Sequence, residues 1–587
     1  MGFRVNWLRV WAGGLAAGVL LAACAPQIRR FPLSPPLWID PDQASLAAAP
    51  AKYYSGLIAD GADQIVLRPL GDLFAFPSPG EAVNVNALDE VPASSWFQNR
   101  IGLLPLTPEE AARGPCKDAI DTRGPWTVFA AKPNGANPGF FIRTPDGRRY
   151  LLKGDGALQP ERNTAADVIG SKFYYAAGYN VPCYQIATFD PRILAVDPKA
   201  MAEDELGRPR PMTAADVNTV ISACARSKEG LYRAGMSEFV DGKPIGPFRY
   251  EGTRGDDAND VIDHRDRREL RGAKVLAAFL GHFDSREQNS LDVWTKGNYV
   301  RHYYIDFGSS FGSRWPIDAM SRRLGYSYYF DVQHVAEDLV SLGLLYRPWD
   351  HLEINPGSEI FGYFEDQQFN PTDWRGGYPN PAFQRATRRD QLWMARILSR
   401  FTPEHIAAIV KTARLSEPRG EAWLIQTLIG RRQRVLEDAF LHDDPLDHWQ
   451  LVRRTPGDLA QSLCFEDLAI KHGLVDSTQT TYKLRFYGGE GLRDFLGWLQ
   501  FPPDPGHPER SCALLPIGYR RPAQLARPDA PDDDPSRYGV LKVYVHHTRS
   551  FWPSSGVNLH FYDLGPERGY VLVGLERPGK IEIPSDY

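Results

Sequence analysis

The sequence predicts an α+β protein in which a strand-rich region is followed by a helical region and then by a second, smaller strand-rich region. Three patterns support this prediction. Short runs of β-branched and aromatic residues, separated by Gly, Pro and Asn, dominate residues 121–248. Apolar residues at helical spacing prevail in residues 249–450, and alternating strands return in residues 451–587. With 43% hydrophobic residues over 587 positions, the chain has material for two or three domains.

The N-terminus has the features of an export signal. Arg4 and Arg9 precede an apolar run over residues 11–23 that is too short to cross a bilayer. The run ends in Leu-Ala-Ala-Cys at residues 21–24, which resembles the lipobox of bacterial lipoproteins. The resemblance implies that residues 1–23 are a signal peptide, that Cys24 is lipidated, and that the chain is anchored in the cell envelope, by default at the outer membrane. Residues 24–120 then form a Pro-rich tether and an N-terminal extension.

Three strands are predicted at the start of the first strand-rich region. They cover residues 126–131, 140–143 and 149–153, and turn sequences separate them. The third strand ends at Lys153. The turn between the first two strands contains Gly135 and Gly139, but it lacks the G-x-G-x-x-G spacing of a typical phosphate-binding loop.

A helix is predicted after Lys153, starting near Pro160 and ending at Gly178. Two acids of this segment, Glu161 and Asp167, are candidates to form an ion pair with Lys153. We favour Glu161, because Asp167 fits a solvated position on the helix.

Two short motifs follow one another in the second region. The first is His-x-Asp-x-x-x-x-Asn at residues 282–289, and the second is Asp-Phe-Gly at residues 306–308. Residues 291–294 and 300–305 predict two strands joined by a Lys-Gly-Asn turn. This hairpin would bring the ends of both motifs to one place.

The residue types in these motifs suit phosphoryl transfer. Mg²⁺ and Mn²⁺ prefer oxygen ligands, and Asn289 and Asp306 supply an amide and a carboxylate oxygen. A further carboxylate, Asp284, is suited to orient an attacking hydroxyl.

The order of these features resembles the atypical kinase-like superfamily, which includes HipA-type toxin kinases, phosphatidylinositol kinases and secretory-pathway kinases. The resemblance covers about residues 120–440 and implies a two-lobed kinase-like fold that uses ATP with Mg²⁺ or Mn²⁺. An Ala-Pro-Glu motif and an ordinary Gly-rich loop are missing. The resemblance implies nucleotide contacts by Lys153, Glu161, Gly135 and Gly139, a catalytic role for Asp284 with Lys153, and metal ligation by Asn289 and Asp306.

The remaining sequence leaves several alternatives open. Five cysteines follow Cys24, and in an oxidising compartment an odd number leaves at least one free or bonded to another chain. Cys464 and Cys512 are a plausible pair, because both belong to the C-terminal region, although buried reduced thiols fit equally well. The net charge of −5 and the mixed charges of residues 249–271 argue against nucleic acid as a partner.

Three functions remain on the sequence alone. The first is an exported kinase that transfers phosphate from ATP to an unidentified envelope acceptor, which is a protein, a sugar or a lipid head group. The second is a non-catalytic envelope scaffold that keeps the kinase-like fold for binding, which the scarcity of ATP outside the cytoplasm favours. The third is metal-dependent transfer of AMP, which would use the same residues. We expect the kinase.

Overall fold

A computed structural model describes most of the chain. It divides into two compact units, one made of Leu37–Asn86 and Glu90–His442, the other of Met1–Pro36, Ala87–Asp89 and Asp443–Tyr587. The C-terminal part of the second unit thus begins at Asp443, slightly before the sequence-based boundary at residue 451. The described residues are 30–34, 41–54, 61–68, 70–71, 80–132, 137–203, 208–354, 359–453, 460–489, 492, 494–515, 521–524, 526–547 and 556–577.

The first lobe of the larger unit is built on a mixed sheet. After the short helix α1 (Pro108–Arg113), six of its strands pair in the order β4-β8-β3-β2-β1-β5, and β6 pairs with β7. The predicted strands at residues 126–153 are confirmed, and β3 lies inside the sheet between β2 and β8. The elements are β1 (Trp126–Ala131), β2 (Gly139–Arg143), β3 (Arg149–Gly154), α2 (Arg162–Ala177), β4 (Tyr184–Phe189), β5 (Leu194–Val196), β6 (Met201–Glu203), β7 (Pro209–Pro211), α3 (Ala214–Ser222), β8 (Tyr232–Glu238) and β9 (Lys243–Gly246).

The second lobe is mainly helical. Its strands β10 and β11 form an antiparallel hairpin in which Ser290 pairs with Tyr304 and Trp294 with Val300, so the predicted hairpin is confirmed. The strand β9 extends this sheet on the other edge of β10. The elements are α4 (Arg268–Leu280), β10 (Ser290–Trp294), β11 (Val300–Tyr304), α5 (Asp318–Arg323), α6 (Val332–Val340), α7 (Pro381–Gln384), α8 (Arg388–Ser399), α9 (Pro403–Lys411) and α10 (Pro418–His442).

Helix α4 supports the segment that carries the first motif. All its residues except Lys274 are buried, and it ends at Gly281, which adopts the left-handed conformation (φ 62°) that suits glycine at a helix end. Arg431 of α10 donates hydrogen bonds to the carbonyl oxygens of Phe279 (2.9 Å) and Ala278 (2.7 Å). These bonds satisfy carbonyl groups that a helix end leaves unpaired, and they fix the point where the motif begins.

The smaller unit is rich in strands. It contains a three-stranded sheet, β12-β13-β16, and a five-stranded sheet, β15-β14-β17-β18-β19, which share an apolar core. A disulfide joins Cys464 of β13 to Cys512 of β16, as the sequence suggested. The elements are β12 (Leu446–Arg453), β13 (Gln461–Asp467), α11 (Leu468–Lys471), β14 (Thr480–Gly488), β15 (Asp494–Phe501), β16 (Arg510–Leu515), β17 (Tyr538–His547), β18 (Val557–Asp563) and β19 (Tyr570–Glu576).

No helix in the described ranges is long and apolar enough to cross a membrane. The predicted signal peptide and Cys24 lie outside the described residues, so their roles stay predictions.

Candidate active site

Lys153 links the two lobes of the larger unit. Its Nζ lies 2.7 Å from Asp306 Oδ1, after β11, and 3.3 Å from Asp167 Oδ2, on α2. Lys153 and Asp167 are almost completely buried, whereas the Asp306 side chain is 40% exposed. One ammonium group therefore balances a buried carboxylate and a carboxylate that solvent can reach.

The structure corrects the choice of the lysine's partner. Helix α2 begins at Arg162, so Glu161 precedes it, in a left-handed conformation (φ 70°), and its Oε2 accepts a hydrogen bond from the backbone N–H of Ser416 (2.9 Å). Asp167 lies one and a half turns further along, on a helix that is buried on nearly every side. Asp167 and not Glu161 is therefore the ion-pair partner of Lys153, and it is not a solvated residue.

The electrostatics of the cluster keep Lys153 charged. Burial lowers the pKa of Lys153, but the carboxylates of Asp167 and Asp306 outweigh it, so the pKa is raised. Desolvation opposes ionisation of Asp306, yet the adjacent ammonium prevails and lowers the pKa of this carboxyl. For Asp167 burial dominates, and the pKa is raised. Asp306 is thus the more readily ionised carboxyl group of the pair.

The backbone at Asp306 is turned into an uncommon conformation. Its φ is 57°, in the left-handed region that non-glycine residues seldom adopt, and its N–H donates to the hydroxyl of Tyr184 (3.2 Å). Such conformations cost free energy and concentrate at functional sites. The turn directs the Asp306 carboxylate towards Lys153.

The first motif forms a compact loop around Asp284. Asn289 Nδ2 donates to Asp284 Oδ2 (2.9 Å) and to the Asp284 carbonyl oxygen (2.6 Å). Arg286 Nε lies 3.0 Å from Asp284 Oδ1. The N–H of Ile305 donates to the Asn289 carbonyl oxygen (3.1 Å), which joins this loop to the Asp-Phe-Gly turn. The predicted proximity of the two motifs is therefore observed.

The environment of Asp284 suits a proton acceptor. Desolvation raises its pKa to about 6, although Arg286 and Asn289 act in the opposite direction. A carboxyl group with a pKa near neutrality can both remain ionised at pH 7 and accept a proton during a reaction. The charge of Asp306 also raises the pKa of Asp284, and the charge of Lys153 lowers it, so the three groups belong to one site.

The predicted glycine loop is only partly described, because Gly135 lies outside the described residues. Gly139 is buried at the start of β2, opposite Lys153 in the sheet. A Cβ atom there would lie 2.3 Å from the carbonyl oxygen of Leu152, so the close approach of the strands accounts for this glycine. A nucleotide contact by Gly139 stays a prediction.

Sequence reasoning missed a second lysine, Lys132, which follows β1. Its Nζ donates to the carbonyl oxygen of Asn137 (2.9 Å). Burial, and then the charge of Lys153, lower its pKa. A lysine at a strand end just before the glycine turn is the signal that would have found it.

The oxygen atoms at the site fit a small divalent cation. No cluster of three or more His, Cys, Asp or Glu side chains with metal-ligand geometry occurs in the described part of the chain. Mg²⁺ is usually held by one or two carboxylates together with substrate phosphates, so two protein ligands are sufficient. Asp306 and Asn289 are the candidate ligands, and metal binding by them stays a prediction. In addition, Asp167 Oδ1 is buried next to Gly308 of the Asp-Phe-Gly turn and has no hydrogen-bond partner among the described residues.

Among known proteins, solved structures match this chain, and those described below are kinases. No protein-family model matches the chain. No curated protein matches it either. Among solved structures, the Helicobacter pylori proinflammatory kinase CtkA is 12% identical, with a TM-score of 0.27 over 52% of this chain and 91% of that one. The Golgi casein kinase with Mn and ADP bound is 10% identical, with a TM-score of 0.25 over 70% and 97% of the two chains. A further structure of the Golgi casein kinase is 11% identical, with a TM-score of 0.22 over 62% and 96%.

At these TM-scores the likenesses support no detailed argument, and the fold is assigned from the chain's own elements. An antiparallel core of five strands carries a lysine on β3, the following helix supplies its carboxylate partner, and a helical lobe presents both motifs beside it. The chain therefore has a two-lobed kinase-like fold, with an N-terminal extension and a smaller β-rich C-terminal part, as the sequence predicted.

Proposed function

We propose that this protein is a metal-dependent kinase that transfers the terminal phosphoryl group of ATP to a hydroxyl group in the cell envelope. The proposal rests on one observation. Lys153, Asp306 and Asp284 form a single electrostatic cluster at the junction of the two lobes, with Asn289 bound to Asp284. These are the groups that phosphoryl transfer needs for positioning and charge stabilisation.

Each side chain has a defined task in this mechanism. Lys153 holds the nucleotide phosphates, and Asp167 keeps its ammonium group in place inside the protein. Asp306 and Asn289 would hold Mg²⁺ or Mn²⁺, which would supply neutralising charge to the phosphates. Asp284 accepts a hydrogen bond from the acceptor hydroxyl, orients its oxygen, and takes its proton as the new phosphoester bond forms. The hydrogen bond from Asn289 holds Asp284 in the orientation that this task requires.

We also propose an envelope location. The support is the N-terminal pattern, in which two arginines, a short apolar run and Leu-Ala-Ala-Cys precede Cys24. A lipidated Cys24 would hold the kinase at a membrane surface, because acyl chains bury apolar area in the bilayer. The acceptor would then be an envelope component that this tethered kinase can reach.

Transfer of labelled phosphate tests the proposed activity. The purified full chain is incubated with ATP labelled at the γ-phosphate, Mg²⁺ or Mn²⁺, and an envelope fraction as the source of acceptor. We expect metal-dependent incorporation of label that Asp284→Asn lowers by about 100-fold or more, the ordinary contribution of a general base. Asp532→Asn, which changes an exposed carboxylate of the smaller unit, is the matched control and should leave incorporation unchanged. Label transfer that is equal in parent and Asp284→Asn, or none with either metal, would refute the kinase assignment.

A further inference from the structure

The helical lobe contains a large cavity outside the cluster around Lys153. Its volume is about 640 Å³, which is in the range of ~300–1,000 Å³ that small-molecule sites usually have. It lies among the segment from Ser321 to Trp349, the segment from Tyr363 to Gln384, and the beginning of the catalytic loop at Gly281 and Phe283. We call it the aromatic pocket.

The lining of the aromatic pocket is both aromatic and polar. Acidic and basic groups both occur, so no single charge dominates. The aromatic residues include Phe283, Tyr326, Trp349, Phe369, Trp374 and Tyr378. The polar residues include Lys274, Glu365, Gln368, Asn370, Asp373 and Arg375.

Several polar side-chain groups in this lining have no hydrogen-bond partner among the described residues. Within the described ranges, no hydrogen bond involves the side-chain amide of Gln368 or the indole N–H of Trp349 or Trp374. Gln368 is exposed and Trp349 is half-buried. Polar atoms at a cavity wall without internal partners are available to a ligand that brings its own donors and acceptors.

The aromatic pocket adjoins the catalytic loop directly. Tyr378 accepts a hydrogen bond from Arg286 (3.2 Å), and Arg286 is the residue that lies 3.0 Å from Asp284. The N–H of Gly377 also donates to the carbonyl oxygen of Phe283, the residue before Asp284 (2.6 Å). A ligand in the pocket is therefore separated from Asp284 by single side chains.

We propose that the aromatic pocket binds a carbohydrate group of the phosphate acceptor. This inference rests on the proposed kinase function and names the class of its acceptor. A sugar ring has C–H faces that pack on Trp and Tyr rings, and hydroxyl groups that pair with amides and carboxylates. The mixed charges of the lining favour such an uncharged, hydroxyl-rich ligand over a strongly acidic or basic peptide.

A soluble saccharide and a glycolipid both present such a sugar. An exposed apolar segment beside the pocket is suited to contact the lipid part of a glycolipid, so both sources are tested. This segment lies between His334 and Trp349, which both line the pocket. The ring centroids of these two residues are 5.3 Å apart. Apolar side chains concentrated in so short a segment are typical of surfaces that meet a membrane or a partner. The exposed fractions are 72% for Leu339, 87% for Val340, 85% for Leu342 and 86% for Leu344.

The transfer takes place at Asp284, and ATP is the only co-substrate that its atom and charge balance requires. The oxygen of one sugar hydroxyl bonds to the γ-phosphorus as the bond from that phosphorus to the oxygen bridging it to the β-phosphate breaks. The hydroxyl proton passes to Asp284, and the products are ADP and a sugar phosphate. No oxidant, reductant or further co-reactant is needed.

Binding measurements without nucleotide test the proposal separately from the kinase activity. The purified full chain is titrated with maltotriose and with chitotriose, and then with phosphatidylcholine vesicles that contain or lack diglucosyl diacylglycerol. Trp349→Ala removes one stacking surface and Gln368→Ala removes one exposed amide. Each should weaken saccharide binding by about tenfold, the effect of losing one good contact. Asp532→Asn should leave saccharide binding unchanged, because Asp532 is exposed in the smaller unit and does not line the pocket.

The outcomes distinguish the sources and the alternatives. Saturable binding of a trisaccharide that both variants weaken supports a soluble acceptor. Binding only to vesicles that contain the glycolipid, again weakened by both variants, supports a lipid-linked acceptor. Equal binding to both kinds of vesicle without trisaccharide binding, saccharide binding unaffected by the variants, or no binding to any of these probes overturns the proposal. ATP binding that persists in Trp349→Ala would show that the kinase assignment stands even if the carbohydrate assignment fails.

Discussion

Lys153 and Asp306 form a direct ion pair, with Nζ and Oδ1 2.7 Å apart, between the sheet of one lobe and the Asp-Phe-Gly turn of the other. The same ammonium lies 3.3 Å from the buried Asp167. In the proposed mechanism Lys153 would contact the nucleotide phosphates and Asp306 would hold the metal ion, so these contacts would replace the direct ion pair. Ligand binding would then be coupled to the contact between the lobes.

The first prediction concerns the partner of Lys153. Asp167→Asn removes the buried negative charge that holds the ammonium group, so we expect ATP affinity to fall by about tenfold or more, since opposite charges at such distances contribute on the order of 1–3 kcal/mol. Glu161→Gln is the matched control, because Glu161 contacts Ser416 instead, and it should change affinity little. Titration of a fluorescent ATP analogue with Mn²⁺ measures both. The reverse order of effects would restore Glu161 as the partner.

The second prediction concerns pH. Because the pKa of Asp284 is raised to about 6, the proton acceptor is ionised above this value and protonated below it. The rate of phosphate transfer at ATP concentrations well below KM, which reports the pKa values of the free protein, should therefore fall by about tenfold per pH unit below pH 6 and level off above it. The measurement is initial incorporation of label between pH 5 and 8. A rate that stays flat down to pH 5 would show that Asp284 is not the base.

The third prediction concerns Lys172, which is buried on α2. Burial, together with Arg414, lowers its pKa from 10.5 to about 7. Between these two values the unfolded chain binds the proton and the folded chain does not, so this residue makes stability rise with pH from about 7 to about 10. Lys172→Met removes the cost of burying the charge. We expect it to raise the melting temperature by a few °C near pH 6.5 and by much less near pH 10.

The exposed Lys117 provides the control for this experiment, because Lys117→Met removes no buried charge. It should change the melting temperature little at either pH. The comparison of each variant with the parent at each pH removes the contributions of all other titrating groups. A Lys172→Met effect of equal size at both pH values would contradict a neutral buried lysine.

The fourth prediction concerns the cysteines. Two disulfides, Cys116–Cys183 and Cys464–Cys512, leave Cys224 as the free cysteine of the described residues. Desolvation raises the pKa of the Cys224 thiol to about 11, so little reactive thiolate is present at pH 8. Iodoacetamide should therefore modify Cys224 slowly in the folded protein and rapidly in denaturant, as followed by mass spectrometry of its peptide. Rapid modification in the folded state would contradict this environment.

Features set by neighbouring residues were predictable from the sequence. The β10–β11 hairpin has strand-forming residues on both sides of a Lys-Gly-Asn turn, so local pattern alone places Asn289 near Asp306. The same holds for β3, which carries Lys153 near its end and follows two turn signals. The resemblance of the two motifs to kinases then predicted the fold.

Features set by packing between distant segments were not predictable in the same way. The choice between Glu161 and Asp167 depended on where α2 begins and on its burial on nearly all sides, which a periodicity argument does not reveal. The residues that line the aromatic pocket are spread from Lys274 to Arg431, so no local sequence pattern predicts it. The pairing of Cys116 with Cys183, 67 residues away, has the same origin.

The binding of ATP and metal at Lys153 and Asp306 is the central claim, and a melting curve tests it most directly. The purified full chain is heated with Mg²⁺ or Mn²⁺ alone, with ATP alone and with both, beside Asp306→Ala. Ligand at 100 times its Kd should stabilise the folded state by about 2.7 kcal/mol. We predict a rise in melting temperature that requires ATP and metal together and is lost in Asp306→Ala. An equal rise in the variant, or no rise in the parent, would contradict the account.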